Sequence, residues 1–109
     1  MLEKLERLKL EDGRELRLLS ALEVLEARRE AEGLARAPKE HALCSNACLL
    51  ARALETEEGS PIFSGGEAVL AGLRVGEIAA LAKIWSQFNR EENPALTMGQ
   101  EEAEALKKN

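Results

Sequence analysis

Leucines alternate with polar residues around a turn signal near the start of the chain. In the stretch LKLEDGRELRL, residues 8–18, leucine recurs at every second position on both sides of Asp12-Gly13. Such alternation predicts two strands, and the Asp-Gly pair favours the tight turn of a hairpin. We therefore predict a β-hairpin within residues 1–18, although the leucine spacing of the first eight residues also fits a helical turn.

The pattern then changes to apolar positions three or four residues apart, which is typical of amphipathic helices. The first helix is predicted over 20–32, because Ser20 and Glu23 match a capping box and Gly33 suits a left-handed C-terminal stop. Its side chains are assigned to two faces, with Leu22 and Leu25 in the core and Arg28, Arg29 and Glu30 in solvent.

Three further helices complete the predicted core. The most apolar helix runs from about Pro38 to Glu57 and is placed at the centre of the fold. A short helix follows a second capping-box match at Ser64-Gly65-Gly66-Glu67, and a longer helix ends at Asn93-Pro94. The apolar face of that longer helix consists of Ile78, Leu81, Ala82, Trp85 and Phe88.

The composition agrees with a small helical domain. The 109 residues suffice for one core, and leucine and alanine dominate the apolar residues, with two Phe, one Trp and no Tyr. These side chains favour helices over sheets. We predict a mainly α fold with a short N-terminal β-hairpin, in a small single-domain bundle of about five helices. Residues 1–18 form the hairpin, 20–94 the helical core, and 97–109 a short helix that frays or docks on a partner.

The charge balance argues against two classes of partner. With 15 basic and 20 acidic residues the formal net charge is −5, which repels nucleic acid and anionic membranes. No segment approaches the roughly 18 apolar residues that cross a bilayer, and the charged N-terminus is unlike a signal peptide. We expect a cytoplasmic protein with reduced thiols that binds neither nucleic acid nor membrane.

One cluster has the chemistry of a metal site. His41, Cys44 and Cys48 lie three and four residues apart on a predicted helix, so they could point zinc-type ligands in one direction. A fourth ligand is missing and the thiols lie in an apolar segment, which favours core packing over a metal or thiol protein. The single histidine has no nucleophile elbow or phosphate loop near it. We therefore predict no catalytic residue, no metal and no cofactor.

A second pattern has the spacing of a helix-turn-helix motif. It combines a small residue, a turn glycine and apolar positions on a second helix: Ala68, Gly72, Leu73, Ile78 and Leu81. The second helix would present one cation and one repulsive carboxylate to DNA, among Gly76, Glu77, Ala80 and Lys83. A packed helical corner is the preferred interpretation, and a DNA-binding regulator is kept as an alternative function.

Taken in order, these elements resemble the small tail assembly chaperones of siphophages and prophages from Gram-positive hosts. The stretches that carry the resemblance are LKLEDGRELRL, SALEVLEARREAE, HALCSNACLLARALE and GEIAALAKIWSQFNREENP, which together cover most of the chain. None of them is a catalytic signature, so the resemblance lies in the layout of the elements. It implies a mostly helical protein without enzymatic activity.

The resemblance also implies a role in building phage tails. Members of the family coat the long, apolar tape measure protein, help recruit tail tube subunits, commonly self-associate around their client and are absent from the finished virion. Apolar grooves would serve such binding without special residues. An unrelated small helical adaptor is the remaining alternative. The expected client or self-contact residues are Ile62, Phe63, Leu96, Met98 and Leu106.

Overall fold

The computed structural model describes residues 7–92, which form a small, mainly helical domain with a three-stranded antiparallel sheet. Four α-helices and three strands lie in this range. Their bounds are β1 (Arg7–Lys9), β2 (Glu15–Arg17), α1 (Ala21–Leu34), α2 (His41–Ala53), β3 (Leu54–Glu55), α3 (Gly66–Gly72) and α4 (Val75–Glu92), with a 3-10 turn at Pro38–Glu40.

The predicted hairpin is confirmed over its described residues. Leu8 of β1 lies opposite Leu16 of β2, and the Leu10 N–H donates to the Arg14 carbonyl at 2.8 Å. Gly13 closes the turn with a φ of 94°, a left-handed conformation that glycine adopts without a side-chain clash. Residues 1–6, for which a helical turn is the alternative prediction, lie outside the described part of the chain.

The prediction that the central helix continues to Glu57 is wrong. Helix α2 ends at Ala53, and Leu54–Glu55 become strand β3 at the other edge of β2. Leu54 lies opposite Leu16, and both leucines are fully buried. Pairing with a strand nearly 40 residues earlier thus decides the conformation of these two residues, because burial and cross-strand contacts outweigh local helix propensity.

Helix α1 starts at the predicted cap and ends later than predicted. The Ser20 side chain accepts from the Glu23 N–H, and the Glu23 side chain accepts from the Ser20 N–H, so the capping box is present. Gly33 lies inside the helix, which ends at Leu34. The C-cap residue Ala35 has an ordinary extended conformation with φ −71°, so no left-handed glycine is needed there.

The faces of α1 also differ from the prediction. Leu22 and Leu25 point to solvent, with 58% and 44% of their surface exposed, whereas Ala27 and Ala31 are buried. Small side chains on the inner face allow α1 to pack closely on α2. The leucines lie on the opposite side of the helix, and their assignment to the core is wrong.

Helix α4 carries the predicted inner face. Its residues Ile78, Leu81, Ala82, Trp85 and Phe88 are all buried. The Trp85 indole N–H donates to the Arg17 carbonyl at 2.8 Å, which ties α4 to strand β2. The predicted stop at Asn93-Pro94 and the predicted helix over 97–109 lie outside the described residues.

Candidate partner-binding surfaces

The predicted contact residues divide between the core and the part of the chain that is not described. Ile62 and Phe63 are half-buried and pack against the core. The Phe63 ring lies against Gly72, where a Cβ would come within 2.8 Å of the ring. The remaining three, Leu96, Met98 and Leu106, lie outside residues 7–92. Partner binding by these five residues stays a prediction.

Other apolar side chains of the described region face solvent. Leu22 and Leu25 on α1 are joined by Val75 and Ile84 on α4, which are 65% and 39% exposed. The α1 pair lies one helical turn apart on one face, next to the exposed side chains of Glu26 and Arg29. We call Leu22 and Leu25 the α1 leucine pair. The sequence reasoning missed this pair because it assigned leucine, and not alanine, to the core.

A groove of about 590 Å³ separates the hairpin from α4. Its apolar lining comes from both elements, and charged side chains of the hairpin turn form its rim. The groove is open to solvent, and Ile84 is its exposed apolar residue on α4. The lining residues are Leu8, Lys9, Leu10, Glu11, Asp12, Arg14, Leu81 and Ile84.

The other face of the sheet carries a network of ion pairs centred on a buried carboxylate. Glu55 is only 8% exposed, and it accepts from Arg7 Nη2 at 2.7 Å and from Arg17 Nε at 3.1 Å. Arg7 Nε also donates to Glu15 at 2.6 Å, and Arg17 Nη2 donates to Glu23 at 2.5 Å. This network joins all three strands to the first turn of α1. Each carboxylate of this network is paired with an arginine, so the network stabilises the contact between the sheet and α1.

The hydrogen bond from Arg17 lowers the pKa of Glu23 to about 2, although partial burial opposes the shift. Glu23 is therefore a carboxylate at neutral pH while it caps α1. Two features of the sequence point to this network: the alternation of Glu15 and Arg17 with an apolar residue, and the capping-box glutamate Glu23. The sequence gives no signal for Glu55, which reaches the network only because residues 54–55 join the sheet.

Glu30 connects three helices, so its assignment to solvent is wrong. Its carboxylate accepts from Arg52 Nη1 at 2.6 Å and from the Gly66 N–H at 2.7 Å. Burial raises the pKa of Glu30, but these hydrogen bonds outweigh burial and hold it below the ordinary value. The predicted cap at Ser64 is also wrong: Gly65 is the N-cap of α3 and makes no side-chain cap hydrogen bond. A carboxylate from α1 binds the helix N-terminus instead.

The thiols and the histidine do not share an accessible face. Cys44 and Cys48 are both free and buried, whereas His41 is exposed at the start of α2. Burial, with the charge of Glu30, raises the pKa of Cys48 to about 12. This thiol is protonated at neutral pH, and a protonated buried thiol is a poor nucleophile and metal ligand. Within residues 7–92 no group of three His, Cys, Asp or Glu side chains could hold a metal ion.

The α3–α4 corner exists, and its glycine serves packing. Gly72 makes room for the Phe63 ring. Glu77 accepts from the Arg74 N–H at 3.0 Å, so this carboxylate caps α4. Among the four positions of α4 that the motif would turn toward DNA, all exposed, Lys83 near the middle of the helix is the cation. Helices α3 and α4 both pack on α2, and the DNA-binding alternative stays a prediction.

Comparison of the chain with models of protein families, with curated proteins and with solved structures finds no match. None of the helices described in residues 7–92 combines the length and the apolar character needed to cross a bilayer.

Proposed function

We propose that this protein is a non-enzymatic phage tail assembly chaperone. In this role it binds the tape measure protein, helps recruit tail tube subunits and self-associates in the host cytoplasm. The observation that carries the proposal is the α1 leucine pair, 58% and 44% exposed on one face of a helix. Two leucines at helical spacing on an outer face are suited to contact with an apolar helix of another protein.

The contacts that hold α1 in the domain support this role. The helix is fixed at its start by the capping box and the Arg17–Glu23 ion pair, and further along by Glu30 on Arg52. Its inner face is packed on α2 through Ala27 and Ala31. A helix held in this way loses little conformational freedom when a partner binds, which favours affinity.

The size of the expected contribution follows from the exposed surface. Full burial of a leucine side chain is worth about 1.5–3 kcal/mol, and about half of each side chain remains to be buried. Each leucine would then contribute about 1 kcal/mol to binding, so the pair would change affinity about thirtyfold. The adjacent Glu26 and Arg29 can set the register of the partner helix through their opposite charges.

The test compares the unaltered protein with the double variant Leu22→Ser/Leu25→Ser for binding to a tape measure protein, which the proposal expects a neighbouring gene to encode. We expect the double variant to lose about thirtyfold in affinity in a pull-down titration. Val75→Ser removes an equally exposed apolar side chain from α4 and serves as the matched control, with binding unchanged. About half of each leucine is already covered within the domain, so the double replacement should lower the free energy of unfolding by no more than about 1–2 kcal/mol, and circular dichroism checks that the variant is folded.

Two outcomes would refute the proposal. Unchanged binding by a folded double variant would exclude the α1 leucine pair as the client surface. A gene position away from tail tube and tape measure genes would remove the support for the phage role.

A further inference from the structure

The outer edge of β1 is unpaired within the described residues. The sheet order is β1-β2-β3, so β1 has a partner on one side alone. The Leu10 N–H bonds to the Arg14 carbonyl, and hydrogen-bonded pairs alternate along an antiparallel ladder. Leu8 and Leu16 are therefore the next hydrogen-bonded pair, and the backbone N–H and C=O groups of Arg7 and Lys9 point to the free edge.

The pairing of β3 with β2 independently shows that the backbone groups of Lys9 point to the free edge. The Thr56 N–H donates to the Ser60 carbonyl at 2.8 Å, beside the bridge between Glu55 and Pro61. In this pattern the backbone groups of Glu55 point to β2, where Glu55 lies opposite Glu15. The backbone groups of Glu15 therefore point to β3, and those of its other neighbour Lys9 are free for a further strand.

The groove between the hairpin and α4 lies beside this edge. Leu8 and Leu10 line it from the hairpin, and Leu81 and Ile84 line it from α4. Because side chains alternate between the two faces of a sheet, a strand added to β1 would place every second side chain on the Leu8 side, over this groove. The other side chains would lie beside Arg7 and Lys9. Beside Leu8 and Ile84 the groove therefore favours apolar residues at alternate positions of the added strand, whereas its end at the hairpin turn is lined by charged residues.

The charges on β1 indicate which residues suit the other positions of the added strand, those beside Arg7 and Lys9. Lys9 is exposed without an ion-pair partner in residues 7–92, whereas the Arg7 guanidinium already binds Glu15 and Glu55. A second copy of β1, paired antiparallel about Leu8, would place Arg7 opposite Lys9 twice, and like charges directly opposite each other are destabilising. A strand with an acidic residue beside Lys9 would form a favourable cross-strand pair instead.

We propose that the β1 edge and the adjoining groove form a strand-addition site for an extended partner segment that alternates apolar and acidic residues. The backbone of Arg7 and Lys9 supplies the hydrogen bonds, and Leu8 and Ile84 receive the apolar side chains. This site is separate from the α1 leucine pair and goes beyond the proposed function. It stands if the chaperone role is refuted, since it rests on strand geometry and charge alone.

The test uses two fluorescein-labelled peptides of about ten residues, one alternating valine with glutamate and one alternating valine with lysine. Fluorescence anisotropy at low salt measures their affinity for the full chain. We expect the glutamate peptide to bind at least tenfold more tightly than the lysine peptide. Hydrogen exchange by NMR should show new protection of the Arg7 and Lys9 amides when the glutamate peptide is bound.

Variants separate the backbone contribution from the charge. Lys9→Pro removes both the outward N–H and the charge, and it should abolish binding of the glutamate peptide. Lys9→Gln removes the charge alone, and it should lower the affinity of the glutamate peptide at least threefold. Lys39→Gln, on the exposed 3-10 turn, is the matched control with unchanged affinity. Circular dichroism checks the fold, and if Lys9→Pro disrupts the hairpin, the Lys9→Gln result and the amide protection decide.

The proposal is overturned by any of three results. These are equal affinity for the two peptides, no saturable binding up to about 1 mM, or binding that leaves the Arg7 and Lys9 amides unprotected.

Discussion

Replacing Gly66 with alanine is expected to destabilise the domain by about 2 kcal/mol. Gly66 begins α3 against α2, and a Cβ there would overlap the Cys48 Sγ and lie 3.2 Å from both the Cys48 Cα and Glu30 Oε2. Relief requires a shift of the helices, because the Cα is part of the α2 backbone. Overpacking of this severity costs about 3 kcal/mol, and the gain from replacing a helical glycine recovers at most about 1 kcal/mol.

Gly33→Ala is the matched control for this prediction. Gly33 also lies in a helix, and a Cβ there has no neighbour within 4 Å, so the domain should become more stable by about 0.5–1 kcal/mol. In thermal unfolding followed by circular dichroism, the midpoint should fall by about 10 °C for Gly66→Ala and rise by about 4 °C for Gly33→Ala. Adding Cys48→Ala to Gly66→Ala should restore part of the loss. Equal shifts for the two glycine variants would show that the close contact at Gly66 does not limit stability.

Three further predictions test the charged contacts and the thiol. Glu30→Ala leaves Arg52 and the Gly66 N–H without their carboxylate, so it should lower the free energy of unfolding, measured in urea, by about 2 kcal/mol. Arg14→Ala, at an exposed ion pair, is the control and should lower it by less than about 1 kcal/mol. Because the pKa of Glu23 is lowered from 4.5 to about 2, its contribution is complete above about pH 4.5 and is lost as the pH falls toward 2. Glu23→Gln should therefore reduce the stability difference between pH 6 and pH 3, and an unchanged difference would contradict this. With its pKa raised to about 12, Cys48 in a Cys44→Ala variant should react with a thiol reagent at pH 7 at least a hundredfold more slowly than in urea, and comparable rates would contradict the burial argument.

The sequence predicts the elements whose signals are local. The Asp12-Gly13 hairpin depends on a turn that its own residues favour, and the start of α1 depends on a capping box of four residues, Ser20 to Glu23. The inner face of α4 follows from large apolar residues at helical spacing, including Trp85. In each case the residues that carry the signal also make the contact, so the pattern determines the structure.

The errors occur where a distant partner decides the conformation. Leu54 leaves its helix because Leu16 offers a strand partner, and the N-terminus of α3 is bound by Glu30, which lies 36 residues before it in the chain. The leucines of α1 face outward because close packing on α2 selects the small residues of that helix. Nothing in a single helix shows how near its neighbour will come, and hydrophobicity alone assigns the larger side chains to the core.

These errors also locate the candidate surfaces. Since Ala27 and Ala31 suffice to attach α1, Leu22 and Leu25 are not needed for packing within this domain. Since Leu54 and Glu55 complete the sheet on one side of β2, the free backbone groups of the sheet lie on the other side, along β1 and beside the groove. Within residues 7–92 the exposed apolar surface and the free strand edge are therefore consequences of the same long-range contacts.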